Sequence, residues 1–141
     1  MRAIATVGGL GRSPIGPGTL GSLLGLGIAW VLRGSLLQQG IGFLVAAGLA
    51  LWSAGPTARA MKDPDPESVI IDEVAGMMLA LTGLPVRLND YLTAFLFFRF
   101  LDIVKPPPLK QIQRLPGSWG ILLDDLGAGL TAQLLTRLIL R

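Results

Sequence analysis

Two adjacent carboxylates interrupt an apolar run in the stretch Ile70-Ile71-Asp72-Glu73-Val74-Ala75-Gly76. The chain repeats this arrangement in the stretch Ile121-Leu122-Leu123-Asp124-Asp125-Leu126-Gly127-Ala128-Gly129. A carboxylate near the middle of a bilayer costs roughly 2.5–3.5 kcal/mol on insertion scales. The buried acids therefore need partners, and bound cations, nearby bases or water in a polar cleft can supply them.

The composition indicates a helical protein that is associated with a membrane. Hydrophobic residues make up 51% of the chain and charged residues 15%, against about 25% charged residues in an ordinary soluble domain. Ile, Leu, Ala and Gly dominate, and strand-like alternation is rare. We predict an all-α fold that forms a single domain over residues 1–141. It is expected to be a compact bundle of about five or six helices, several of them membrane-embedded.

Several apolar segments carry the predicted helices. The segment from Ser35 to Ala58 contains no charged residue, and about twenty such residues can span a bilayer. The other predicted helices cover Leu23–Leu32, Gly76–Leu84 with the preceding acidic pair, Tyr91–Val104 and Trp119–Leu140. Two prolines keep the chain irregular up to about Pro17, because proline disrupts a helix interior.

The residue types that are missing limit the possible chemistry. The chain has neither Cys nor His, so thiol and imidazole groups are excluded as nucleophiles, bases or metal ligands. Any bound metal is therefore expected to be a hard cation held by oxygen, and we predict Mg²⁺. The net charge is only +3, and the bases are scattered singly, which argues against nucleic acid as a partner.

The acids and two nearby bases together describe a site for a phosphate ester. Carboxylates from three helices are expected to point into the bundle and to hold one or two Mg²⁺ ions. These candidate metal and catalytic residues are Asp72, Glu73, Asp102, Asp124 and Asp125. Arg99 and Lys105 supply positive charge for the phosphate. In such a site Mg²⁺ polarises the phosphoryl oxygens, and one carboxylate takes the proton of the attacking water.

A Pro/Gly-rich loop from Ser13 to Ser22 is the candidate phosphate-binding element. At a helix start, free backbone N–H groups and the helix dipole favour an anion. The candidate phosphate contacts in this loop are Gly18, Thr19 and Ser22.

Simpler interpretations exist for each feature alone. The Pro/Gly loop can be a turn with an N-cap. Arg99, Asp102 and Lys105 follow one another at spacings of three and can form an exposed set of ion pairs on one helix. Asp124 and Asp125 can be acids that the helix dipole favours near a helix start.

Four motifs nevertheless resemble the signature stretches of the phosphatidylglycerophosphatase A family. They are Pro14-x-x-Pro17-Gly18-Thr19-x-Gly21-Ser22, Val69-Ile70-Ile71-Asp72-Glu73-x-x-Gly76, Phe98-Arg99-Phe100-x-Asp102-x-x-Lys105-Pro106 and Gly120-Ile121-x-x-Asp124-Asp125-x-x-Ala128-Gly129. The resemblance spans residues 8 to 129 in the right order.

The resemblance implies a Mg²⁺-dependent phosphatase that converts phosphatidylglycerophosphate to phosphatidylglycerol. It implies a multi-pass protein of the bacterial inner (cytoplasmic) membrane with a site that faces the cytoplasm. The matched acids would be metal and catalytic residues, and the loop and bases would contact phosphate. Two alternatives stay open: the same chemistry on another phosphomonoester, or a non-enzymatic membrane protein whose acids line a cation path.

Overall fold

The protein, described here by a computed structural model of residues 1–141, consists only of helices and the turns between them. Five helices are long: α2 (Pro17–Val31), α3 (Leu36–Met61), α4 (Ile71–Leu81), α5 (Leu88–Val104) and α7 (Ser118–Leu140). Two single-turn helices, α1 (Arg2–Ala5) and α6 (Leu109–Ile112), and a 3₁₀ turn at Leu10–Arg12 complete the chain. The predicted all-α class is confirmed.

Helix α2 begins six residues earlier than the predicted segment Leu23–Leu32. Pro17 occupies its first turn, where the fixed φ of proline suits a helix and no N–H is needed. Gly16 precedes it with φ +51°, a left-handed conformation that glycine adopts readily. The predicted phosphate-binding loop is therefore largely helical: it contributes the first turns of α2.

Helix α4 lies in the centre of the bundle and packs against α2, α3, α5 and α7. Small residues on α3 allow this close packing. Ala46, Ala50 and Ala54 recur every four residues on one buried face of α3, next to Val74 and Met78 of α4. Phe98 of α5 belongs to a second buried cluster on the other side of α4.

Glycines set the distance between α4 and α7. A Cβ atom at Gly129 would collide with the carbonyl oxygen of Gly76, and one at Gly76 would lie 2.7 Å from the carbonyl oxygen of Asp125. Real side chains do not fit at such distances, so the backbones of the two helices touch directly.

Polar side chains satisfy the backbone where α4 ends inside the bundle. The Nε2 group of Gln133 donates to the carbonyl oxygen of Leu79 at 3.1 Å, and it also donates to that of Thr82. The Oε1 atom of Gln39 accepts from the N–H of Gly83 at 2.8 Å, and Arg137 donates to the carbonyl oxygen of Gly83 at 3.0 Å. Carbonyls that a helix end leaves free thus find partners.

Only α3 is long and apolar enough to cross a membrane. Helix α4 has 11 residues, or roughly 16 Å at 1.5 Å per residue, which is too short for a bilayer core of about 30 Å. Helices α5 and α7 carry charged residues in their sequences. The expectation of several spanning helices is therefore not supported, and α3 is the one candidate span.

The glycine contact between α4 and α7 makes a prediction for stability. Gly129→Ala is expected to lower the free energy of unfolding by about 1–3 kcal/mol, because the new methyl group forces the two backbones apart. The matched control is Gly48→Ala in α3, where a Cβ meets nothing within 4 Å. It is expected to keep or raise stability by up to about 1 kcal/mol. Thermal unfolding in detergent measures both, and equal effects of the two substitutions would contradict the packing argument.

Candidate metal and phosphate site

Three carboxylates from three helices meet near one end of the bundle. Glu73 of α4, Asp102 of α5 and Asp125 of α7 each present one oxygen, and these oxygens lie within 4.8 Å of one another. Asp102 is 8% exposed and Asp125 2%. Glu73 and Asp125 lie about one helical turn before Gly76 and Gly129. The direct contact of the two glycines therefore brings these carboxylates together.

Two buried carboxylate oxygens of this region have no hydrogen-bond partner: Asp72 Oδ1 and Glu73 Oε2. Helix α2 covers Glu73 closely, since a Cβ at Gly18 would lie 2.9 Å from Oε2 and one at Gly21 would lie 3.1 Å from it. An ionised oxygen that is buried without a partner carries a large desolvation cost. These oxygens therefore require a cation or a proton.

Burial makes protonation easy for these carboxyl groups in the absence of a cation. Burial and, after it, the charge of Asp72 raise the pKa of Glu73 to about 9. Burial also raises the pKa of Asp72 to about 7. The pKa of Asp125 lies well above its usual value, first because of burial and then because of the charge of Asp72. A divalent cation among them would favour the charged forms instead.

The donor set fits a hard divalent cation. All candidate ligands are carboxylate oxygens from Glu73, Asp102 and Asp125, and the chain contains no Cys or His. Oxygen ligands of this kind suit Mg²⁺, Ca²⁺ or Mn²⁺ rather than zinc or copper. The three carboxylates and the unpartnered oxygens of Asp72 and Glu73 therefore form a suitable binding site for such an ion.

Arg99 is held at the edge of this carboxylate group. Its Nη1 atom donates to Asp102 Oδ2 at 2.6 Å and to Ser22 Oγ at 3.4 Å. Ser22 is fully buried, and its hydroxyl donates to the carbonyl oxygen of Gly18 at 2.9 Å. Contacts with α2 and α5 thus fix the guanidinium in the lining of the cleft, and its planar set of N–H donors suits a phosphate.

Lys105 lies on the other side of Asp102. Its Nζ atom is 2.5 Å from Asp124 Oδ2 and 3.7 Å from Asp102 Oδ1. Burial alone lowers the pKa of Lys105, but the hydrogen bond and charge of Asp124 outweigh it, so that the pKa rises above its usual value. Burial raises the pKa of Asp124 to about 6, although Lys105 opposes this. Lys105 also has φ +47°, an unusual backbone conformation that such sites often hold.

These groups line a cleft of about 490 Å³ at the end of the bundle. Seven of the predicted site residues lie on its walls: Gly18, Asp72, Glu73, Arg99, Asp102, Lys105 and Asp125. The cleft is open to solvent on one side, and charged residues make up eight of the 14 residues of its lining. It joins acids that can hold a cation to bases that can hold an anion, which is the arrangement that a phosphate ester and its metal require.

Three predicted site residues lie outside this lining. Thr19 is exposed, because α2 turns its side chain away from the cleft. Ser22 supports Arg99 from behind, and Asp124 faces Lys105 instead of the three clustered carboxylates. Adjacent residues on a helix point about 100° apart, which separates Asp124 from Asp125, whereas Asp72 and Glu73 both line the cleft.

The cleft also includes two acids that the sequence analysis did not select. Asp65 and Glu67 belong to the connection between α3 and α4, and both line the cleft. The sequence does contain an indication that these two acids belong to the site. The acidic and proline-rich segment Asp63–Glu67 shortly precedes the helix that carries Asp72 and Glu73.

Comparison with known proteins identifies the family. The family profile described as Phosphatidylglycerophosphatase A matches residues 3–140. A protein of Escherichia coli K12 named Phosphatidylglycerophosphatase A is 37% identical over 86% of this chain and 72% of its own length. Its namesake in Haemophilus influenzae is 35% identical over 82% of this chain and 74% of its own length.

A third relative carries a different name. The Bacteroides thetaiotaomicron protein named Putative phosphatidylinositol-3-phosphatase is 32% identical over 89% of this chain and 84% of its own length. No solved structure matches the chain. The match over nearly the whole length shows that the chain belongs to the phosphatidylglycerophosphatase A family, whose members are phosphoric monoester hydrolases.

Proposed function

We propose that the protein is a Mg²⁺-dependent lipid phosphatase of the bacterial inner membrane. It hydrolyses the phosphomonoester of phosphatidylglycerophosphate and releases phosphatidylglycerol and inorganic phosphate. One observation carries this proposal: in a chain of this family, the clustered carboxylates Glu73, Asp102 and Asp125 share one cleft with Arg99 and Lys105. The apolar helix α3 supports a location at the membrane where a lipid substrate is found.

The three clustered carboxylates are the residues that would hold the metal. Glu73, Asp102 and Asp125 come from α4, α5 and α7, so the site depends on the tertiary fold and not on one helix. When bound, Mg²⁺ would withdraw charge from the phosphoryl oxygens and lower the pKa of a bound water.

The bases and the start of α2 hold the phosphate. Arg99 offers a planar set of donors, and Lys105 offers a single ammonium charge. Gly18 lies in the first turn of α2 and lines the cleft, where backbone N–H groups have no partner within the helix. Asp124 is a positioning residue, since it fixes the ammonium of Lys105.

In this proposal Asp72 accepts the proton of the attacking water. It lines the cleft, and its buried Oδ1 atom has no hydrogen-bond partner. In the proposed reaction the water oxygen bonds to phosphorus as the ester P–O bond breaks. Asp72 takes one proton of the water and returns it to the departing glycerol oxygen.

A second candidate substrate keeps the same chemistry. The relative named Putative phosphatidylinositol-3-phosphatase favours an inositol lipid phosphomonoester. Comparing phosphate release from phosphatidylglycerophosphate, phosphatidylinositol 3-phosphate and glycerol 3-phosphate in detergent micelles decides between them. We expect the highest kcat/KM for phosphatidylglycerophosphate, and a higher value for the inositol lipid would change the substrate but keep the site.

Removal of one clustered carboxylate is expected to abolish turnover. Asp125→Asn should lower kcat by a factor of at least about 100, the order of effect of losing a group that stabilises transition-state charge. The matched control is Asp90→Asn. Asp90 is equally buried, at 2% exposed, but binds Arg141 at the far end of α5, roughly 18 Å from Asp102 along the helix. Phosphate release from both variants in micelles is the measurement, and full activity of Asp125→Asn would refute the site.

Metal binding is expected to appear as a change in stability without any substrate. Because the cation binds the folded state only, millimolar Mg²⁺ should raise the melting temperature of the wild type in detergent, and a chelator should reverse the rise. Asp125→Asn should show little or none of this rise, whereas Asp90→Asn should keep it. An equal rise in all three proteins would place the metal elsewhere.

A further inference from the structure

A second cavity lies beside the carboxylate cleft and contains none of the residues proposed for catalysis. It measures about 660 Å³ and lies between the end of α3 and the connection from α6 to α7. Asp65 lines both cavities. The two spaces are therefore neighbours, separated by the connection between α3 and α4.

Three basic side chains line this second cavity: Arg59, Lys62 and Arg114. None of them belongs to the ion pairs of the protein, which involve only Arg99, Lys105 and Arg141. The lining also contains two acids, Asp63 and Asp65, against the three bases, and both accept hydrogen bonds from neutral groups. Asp63 Oδ1 accepts from the N–H of Asp65 at 3.0 Å, and Asp65 Oδ2 accepts from Gln113. We call this space the basic cavity, because its bases are free to bind an anion.

The basic cavity continues the apolar outer face of α3. Trp52 precedes Arg59 by seven residues, or two helical turns, so both lie on the same side of the helix. Trp52 is 53% exposed, and Trp119, close to the cavity at the start of α7, is 55% exposed. Exposed tryptophans at the end of an apolar run, where Trp52 lies, are typical of the headgroup level of a membrane.

The contact between α3 and α7 fixes the floor of the basic cavity. The N–H of Gly55 donates to Ser118 Oγ at 2.6 Å. A Cβ at Gly117 would lie 3.9 Å from Arg59 Nη1, so the guanidinium rests against the start of α7. The cavity therefore combines a guanidinium close to the start of α7 with an apolar approach along α3.

We propose that the basic cavity binds the phosphodiester of the lipid substrate while the carboxylate cleft holds its terminal phosphomonoester. This proposal rests on the proposed function for the identity of the substrate. The glycerol between the two phosphates passes Asp65, and the acyl chains lie along the apolar face of α3. Arg59 and Arg114 pair with the single charge of the phosphodiester.

This placement also accounts for which ester is cleaved. The basic cavity lacks the three clustered carboxylates, which lie in the neighbouring cleft. The phosphodiester is therefore bound by bases alone, whereas the phosphomonoester meets the groups that would hold the metal and accept a proton. Binding energy from the uncleaved phosphate positions the cleaved one.

The first test measures binding of phosphatidylglycerol, which keeps the phosphodiester and lacks the phosphomonoester. Its affinity for the full-length protein in non-ionic micelles is measured by microscale thermophoresis. Arg59→Gln and Arg114→Gln are expected to weaken binding by about tenfold each, as the loss of one charge-assisted contact implies. Lys110→Gln is the control, since Lys110 is an exposed base of α6 outside the cavity. Equal affinities in all four proteins would overturn the proposal.

The second test identifies the source of the phosphodiester. In micelles whose only anionic lipid is phosphatidylglycerophosphate, both arginine variants should lose about tenfold more kcat/KM for this lipid than for glycerol 3-phosphate, chiefly through KM. A loss that appears only when phosphatidylglycerol is added would assign the cavity to a neighbouring lipid and would contradict the proposal. If the wild type releases no phosphate from the lipid, the proposed function fails, while the binding test still decides on the cavity.

Discussion

The direct backbone contact of Gly76 with Gly129 determines how closely α4 and α7 approach. Glu73 and Asp125 precede these glycines by about one turn, so the same contact sets the distance between their carboxylates. Like charges at such a distance in a buried site repel each other strongly. The packing of α4 and α7 therefore holds mutually repelling carboxylates together. A divalent cation offsets this repulsion more completely than a proton does.

The remaining charges divide the bundle into one end with a binding site and one end with structural contacts only. At one end, Arg99 and Lys105 bracket Asp102, and each also contacts a second helix through Ser22 or Asp124. At the other end, polar side chains only satisfy the ends of helices. Asp90 and Arg141 pair with each other there, whereas the acids and bases around the cleft keep oxygens and N–H groups that have no partner. Such unpartnered hydrogen-bonding groups distinguish a binding site from an ion pair that only stabilises the fold.

The sequence predicts the chemistry of the site better than its geometry. The absence of Cys and His and the acids in apolar segments indicate an oxygen-bound cation, and helical periodicity indicates the all-α class. Sequence spacing does not show that Asp72 and Glu73 both line the cleft whereas only Asp125 of the second pair does, because that depends on the crossing of α4 and α7. It also does not place Asp65 in the cleft, since a proline-rich connection has no periodicity. The number of membrane-spanning helices is overestimated from the sequence, because buried core helices such as α4 are as apolar as spanning helices.

Direct location of the metal tests the central claim. Crystals of the protein grown with Mn²⁺, which has the same preference for oxygen ligands as Mg²⁺, would show the ion by its anomalous scattering. We expect a peak bound by oxygens of Glu73, Asp102 and Asp125, and its loss in Asp125→Asn. A peak held by other residues, or a well-ordered cleft without any peak at saturating Mn²⁺, would contradict the account.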